Sequence, residues 1–256
     1  EIGIEPQELF NRESVFTGLN ADCHVVNPFY ITDSAYSRAG ARAAHRHPYR
    51  GRDEFFGRLR DIVFTAGRER TFTFAYWPEL DGLAHRHGVN SDEVSDHFDM
   101  LDDAFAEWLT RIAGTDTAVL VTADHGLTDT EPAHTITVSE QPDLQRSLTL
   151  PLCGEPRAAY CYVRARARER FEAHVRERLG RVCDMHPSQE LMEAGLFGLG
   201  EPHPRLADRI GDYTLLMRNN YVITEQLLHE RPFGQRGVHG GLSSAELYVP
   251  FMFAHP

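Results

Sequence analysis

"TAVLVTADHGLTD", residues 117–129, decides how this chain is read. Thr117 to Ala123 is a nearly continuous apolar run of strand length, the pattern of a strand covered on both faces. An acid and an imidazole, Asp124 and His125, follow at once. Gly126 permits a sharp backbone turn that would let both side chains face one point. A second stretch repeats the habit: "RTFTFAYW" (residues 70–77), rich in aromatic and β-branched residues, stops at Pro78 and runs into "ELDGLAHRHG". There Asp81 and His85 stand four apart, so one helical turn puts them on one face.

The elements around these stretches alternate. "CHVVNP" (residues 23–28) reads as a short strand closed by Asn and Pro. "RDEFFGRLRDIVFTA" reads as a helix with Phe55, Leu59, Ile62, Val63 and Ala66 on one face. Asn90, with Glu93 three residues on, is placed to cap a helix carrying Val94, Phe98, Leu101, Phe105, Trp108 and Ile112. Strand, helix, strand, helix, strand is the rhythm of a parallel α/β sheet, whose ligands gather beyond the carboxyl ends of strands. The expected fold is therefore α/β, a three-layer sandwich around a mostly parallel sheet.

From about residue 155 the texture changes. "RAAYCYVR" reads as a strand, and "ARERFEAHVRERLG" as an amphipathic helix with Phe171, Val175 and Leu179 aligned and Gly180 at its end. "SQELMEAG" suggests a short helix and "GDYTLLMR" (residues 211–218) another strand. Residues 155–215 are expected to form a smaller inserted α+β lobe, with 1–154 and 216–256 as the core. "GQRGVHGGLS" (residues 234–243) is a Gly-rich loop, and "YVPFMFA" (residues 248–254) a final strand.

The bulk numbers of this 256-residue chain suit a globular protein, with 41% hydrophobic and 25% charged residues. No apolar run approaches a membrane span, and the acidic N-terminal stretch is not read as a signal peptide. The formal net charge is −12, and all 26 basic residues are Arg. Such a surface repels a phosphate backbone, so no nucleic-acid duplex is expected as partner, although bound metal ions would reverse the local field for a small phosphate. Cys23, Cys153, Cys161 and Cys183 show no C-x-x-C spacing and are expected to be free, buried and structural.

Three pieces therefore carry chemistry: Asp81 with His85, Asp124 with His125, and His239 between Val238 and two glycines, where a backbone can approach a ligand closely. Carboxylate and imidazole donors together favour zinc over calcium or magnesium. Each piece alone has a plain reading, as a capping acid, a surface imidazole or a structural loop histidine. His87 and His134 are expected to be structural, His134 as a hydrogen-bonded histidine at a strand start.

The ordered set "YWPELDGLAHRHG", "TADHGLTD" and "GVHGGLSSAELYVPFM" resembles the alkaline phosphatase superfamily, most of all its nucleotide pyrophosphatase/phosphodiesterase branch. The resemblance implies two zinc ions beside a Thr or Ser nucleophile. Asp81, His85 and His239 would hold one ion, and Asp124 and His125 would help hold the other. It implies a zinc-dependent hydrolase of small phosphoric esters, with phosphomonoesterase, phosphomutase and phosphonate hydrolase as relatives using nearly the same ligands. From another class, a non-catalytic metal-binding domain would also carry them. The family's nucleophile, and one further Asp ligand, precede the first matched motif. Thr17 in "SVFTGLN" comes too late in that order, so the nucleophile is expected upstream of Glu1.

Overall fold

The computed structural model describes residues 13–67, 69–198 and 200–256. Strand β1 (Asp22–Pro28) buries Cys23, Val25 and Val26, on both of its faces, as a central strand must. It lies parallel to β2 (His45–Tyr49) on one side and to β3 (Thr71–Ala75) on the other. β2 is not legible in sequence. "HRHPY" has no apolar alternation and contains Pro48, but it is an edge strand, where a missing N–H and polar side chains are tolerated. Helix α1 (Gly51–Ala66) joins β2 to β3 and packs Phe55 and Ile62 against Val26 and Tyr49. Trp77 completes that cluster by stacking on Tyr49, ring centroids 5.5 Å apart. Full burial of each such side chain is worth roughly 1.5–3 kcal/mol.

Helix α2 (Glu79–His87) starts directly after Pro78, and α3 (Asp92–Arg111) follows. The cap of α3 is Ser91, one residue beyond the expected Asn90: its Oγ accepts the Val94 N–H at 3.3 Å. Serine and asparagine cap equally well, so propensity alone does not choose between neighbours. Glu93 turns back instead to His87, 3.4 Å from its Nδ1. The apolar stripe of α3 is buried at Trp108 and Ile112, while Phe98 is 55% exposed. Strand β4 (Val119–Thr122) also departs from expectation, because Leu120 is 56% exposed and the strand is not covered on both faces. It pairs with the final strand, Phe251–Ala254, rather than joining β3.

Beyond β4 come two short strands, β5 (Thr128–Asp129) and β6 (Thr135–Thr137). A four-stranded antiparallel sheet follows, built from β7 (Cys153–Glu155), β8 (Ala158–Cys161), β9 (Cys183–Pro187) and β10 (Tyr213–Met217) in the order β7-β8-β10-β9. The expected helix runs from Arg168 to His174 and continues as a wider π-type turn to Leu179. Its aligned residues Phe171, Val175 and Leu179 pack with Leu215, Met217 and Cys183 into one core. β11 (Val222–Thr224) lies parallel to β6, and β12 (Gly237–Val238) antiparallel to β5. The architecture is thus mixed α/β with parallel pairing at β1–β3 and β6/β11.

Two units of dense contact divide the chain. One comprises the chain up to Leu80 with Ser95–Leu120 and Met252–Pro256; the other comprises Asp81–Val94 and Val121–Phe251. Asp81, His85, Asp124, His125 and His239 all belong to the second. The four cysteines are free, and Cys23, Cys161 and Cys183 are buried as expected; Cys153 is exposed. Among the described residues no helix is long and apolar enough to cross a membrane.

Candidate metal centre

Asp81 and His85 sit one turn apart on α2, with His85 Nε2 3.3 Å from Asp81 Oδ1. The other ring nitrogen of His85 is committed: Nδ1 lies 2.8 Å from the Gly237 carbonyl oxygen. A carbonyl can only accept, so Nδ1 carries the proton and Nε2 of the neutral ring presents a lone pair. Nε2 faces a carboxylate oxygen, Asp81 Oδ1, which is buried and has no hydrogen-bond partner among the described residues. An imidazole nitrogen and a carboxylate oxygen held this way can share a cation, whether a proton on Nε2 or a metal ion.

His125 is prepared in the same manner. Its Nδ1 lies 3.0 Å from the Gly126 carbonyl, which leaves Nε2 free. The ring stacks on His239 with centroids 3.7 Å apart and planes 17° from parallel, and the His85 ring lies 5.3 Å from that of His239. One ligand atom each from Asp81, His125 and His239 lies within 4.8 Å of the others. Burial, then the neighbouring His125, pushes the His239 imidazole below its ordinary pKa. A ring kept neutral is a ring able to bind metal. Asp124 stands at the rim, 72% exposed, with Oδ2 3.7 Å from His125 Nε2.

Backbone contacts across long sequence distances hold these groups. Arg236 N–H donates to the His85 carbonyl at 2.8 Å, so α2 and the loop carrying His239 grip each other at two points. Gly237 has to be glycine: a Cβ there would meet the Ala84 carbonyl oxygen at 2.6 Å. Gly126 is required for a reason other than a left-handed turn. Its N–H donates to the Glu246 carbonyl at 2.8 Å, and a Cβ would lie 2.0 Å from the Ala245 oxygen. Asp129, at the end of the "ADHGLTD" motif, accepts the Val89 N–H at 2.6 Å and ties the turn after α2 to β5.

The largest element that sequence reasoning missed is a buried ion pair. Arg157 donates from Nε to Glu246 Oε1 at 2.9 Å and from Nη2 to Oε2 at 2.7 Å. Both side chains are 1% exposed. Glu246 also accepts the Gly241 N–H at 2.8 Å and the Ser243 hydroxyl at 2.6 Å, so one carboxylate gathers the loop just after His239. Burial alone would raise the Glu246 carboxyl, but the hydrogen bonds from Arg157, Ser243 and Gly241 outweigh it, and its pKa lies below the ordinary value. The available signal was the Ser-x-x-Glu spacing of Ser243 and Glu246, a capping-box pattern. Nothing local points to Arg157 as its partner.

The histidines set aside behave differently. His87 faces Glu93 as a structural pair. His134 precedes β6 and meets Tyr221 edge-on at 4.6 Å, but its Nδ1 is buried without a partner, so it is not the fully hydrogen-bonded histidine expected. Thr17 spends its hydroxyl on the Ser14 carbonyl.

A family model described as type I phosphodiesterase / nucleotide pyrophosphatase matches residues 7–242. The chain belongs to this family. The resemblance to the nucleotide pyrophosphatase/phosphodiesterase branch of the alkaline phosphatase superfamily therefore holds. Murine ectonucleotide pyrophosphatase / phosphodiesterase 5 is similar in structure with a TM-score of 0.68 and 17% identity, over 94% of this chain and 62% of that one. The human counterpart gives 0.64 and 13%, over 91% and 60%. Phosphonoacetate hydrolase from Sinorhizobium meliloti 1021, in complex with phosphonoformate, gives 0.61 and 18%, over 94% and 67%. At these identities the likeness is one of fold. The chain spans less than two thirds of the length of the ectonucleotide pyrophosphatase structures it matches. No curated protein matches the chain.

Proposed function

We propose that the protein hydrolyses small phosphoric esters, as a phosphodiesterase or nucleotide pyrophosphatase, at a centre that takes two zinc ions. In this reading Asp81, His85 and His239 hold one ion, and Asp124 and His125 contribute to the other. The observation that carries it is the convergence of Asp81, His125 and His239 within 4.8 Å, where one oxygen of Asp81 lacks a hydrogen bond among the described residues. The mixed donor set of carboxylates and imidazoles selects zinc over the hard cations. Bound there, the ions would polarise the phosphoryl group and lower the pKa of an attacking hydroxyl.

The chain's own residues supply the preorganisation. The Gly237 and Gly126 carbonyls fix the tautomers of His85 and His125, so both rings present Nε2 without rearrangement. The gathered side chains are acids and imidazoles, so the nucleophilic Thr or Ser of this reading comes from outside the group. The lobe of residues 155–215 would lie over the leaving group and set substrate choice. AMP is bound to an inactive variant of the murine relative, which makes a nucleotide phosphoester the substrate class to try first. The likeness to phosphonoacetate hydrolase supports a second reading, cleavage of a phosphonate.

The test is turnover of an aryl phosphodiester, an aryl phosphomonoester and phosphonoacetate by zinc-loaded protein that includes the segment bearing the expected Thr or Ser nucleophile. Fastest turnover of the diester, lost in His239→Ala, is expected. Turnover of phosphonoacetate alone selects the second reading, and tight zinc binding with no turnover of any of the three refutes both.

A further inference from the structure

A second cluster of carboxylate and imidazole side chains lies on the sheet of the other unit. Asp22 and His24 are two apart on β1, so they share a face, and His45 is the cross-strand partner of His24 on β2. The Asp22 carboxylate faces both imidazoles, one oxygen to each. Oδ2 is 3.3 Å from His24 Nε2, and Oδ1 is 3.2 Å from His45 Nε2. The remaining nitrogen of His24, Nδ1, is 2.9 Å from His47 Nε2.

We propose that Asp22, His24 and His45 form a binding site for zinc or a similar first-row divalent cation, with His47 positioning the His24 ring. Three features support it. An ion with ligand bonds of about 2.0–2.2 Å in tetrahedral geometry separates neighbouring donors by roughly 3.4 Å. The two nitrogen–oxygen separations here are already of that size. His45 is 68% exposed, so its ring can swing toward His24 without disturbing the core. The His24 ring centroid is now 5.3 Å from that of His45.

The support for His24 follows a common metal-site rule, in which a ligating imidazole donates its other N–H to a neighbour. If Nε2 of His24 binds the ion, Nδ1–H must find an acceptor, and His47 Nε2 stands 2.9 Å away to accept it. A simple hydrogen-bonded relay, His47 to His24 to Asp22, would use only one imidazole on the carboxylate. It leaves the aim of His45 unexplained. The two arrangements also require opposite tautomers of His24, with the proton on Nδ1 when metal is bound and on Nε2 in the relay.

The experiment uses the full chain carrying Asp81→Asn and His239→Ala, so that ions at the first centre do not contribute. Zinc is measured by titration calorimetry, and cobalt(II) by its visible absorption. One ion per chain is expected, with intense bands of a four-coordinate cobalt site. Added His45→Ala, at an exposed position that folding does not need, should abolish that binding. Added His47→Ala should weaken it about 10–100-fold. Nitrogen chemical shifts of His24 should move from the Nε2–H to the Nδ1–H tautomer on adding zinc. Zinc stoichiometry and cobalt spectrum unchanged by His45→Ala would overturn the proposal, and so would a His24 tautomer indifferent to zinc. Neither outcome bears on the phosphoesterase reading, because His45 and His24 take no part in it and Asp81 and His239 are already replaced.

Discussion

Replacing Glu246 with Gln tests the claim that one buried carboxylate holds the His239 loop. The substitution keeps the shape and removes the charge. Arg157, 0% exposed, then keeps a buried cation without its counter-ion. Its remaining fixed contact is the Tyr221 carbonyl at 2.6 Å. Stranding one partner of a buried pair costs about 3–5 kcal/mol. A kilocalorie per mole corresponds to roughly 2–4 °C in Tm for a chain of this size, so a loss on the order of 10 °C is expected. Urea unfolding should show a lower midpoint at unchanged slope, which marks a change of stability rather than of mechanism. Replacing both partners, Arg157→Met with Glu246→Leu, should recover most of the loss, because the penalty comes from the uncompensated charge. The pH dependence has a definite sign. The pKa of Glu246 is depressed in the folded state, so its contribution is complete above the ordinary carboxyl value and fades as pH falls through the folded value. The gap between parent and Glu246→Gln should therefore shrink below about pH 4. A Glu246→Gln loss under roughly 1 kcal/mol at pH 7, the size expected of exposed pairs such as Arg111–Glu107, would refute the argument.

Zinc retained after dialysis should fall in His239→Ala and not in His134→Ala; equal content in both would remove His239 from the ligand set. Gly126→Ala should destabilise by roughly 1–3 kcal/mol, since its Cβ would land 2.0 Å from the Ala245 oxygen, and an unfolding midpoint equal to the parent's would show that the close approach is not needed. A disulfide reagent applied to native protein should label Cys153 first. Cys161 and Cys183 are buried, which raises both thiols, that of Cys183 to about 12, and rapid labelling of either before unfolding would contradict the packing described.

What could be read in advance was whatever rests on neighbours in sequence. The Phe171, Val175 and Leu179 stripe announced a buried helix face because helical spacing alone aligns those residues. Asp81 and His85 were legible as a pair for the same reason. β2 stayed hidden because "HRHPY" owes its strand conformation to β1 beside it and not to its own propensity. The Arg157–Glu246 pair stayed hidden because it joins residues 89 apart, and nothing local marks either as buried. Gly126 was legible as a residue beside a turn, but the approach of the Ala245 backbone that excludes a Cβ there is a contact only the folded chain reveals. For Leu120, an apolar run indicated a strand but not how many of its faces are covered.

The junction of β5 and β12 brings two distant points of the chain together. Thr130 N–H donates to the Arg236 carbonyl at 2.7 Å, and Arg236 N–H in turn to the His85 carbonyl. The chain that departs after Thr130 thus returns to a hydrogen-bonded neighbour of its own starting point. Everything between, including the whole antiparallel sheet, is an excursion with its two ends stapled together. The entropy of closing such an excursion grows only slowly with its length. Its one deep tie to the His239 loop described above is Arg157, paired with Glu246, so length changes elsewhere in the excursion leave the two stapled ends in place. The hydrogen bonds at the two ends, and not the length of chain between them, set where His85 and the start of the His239 loop meet.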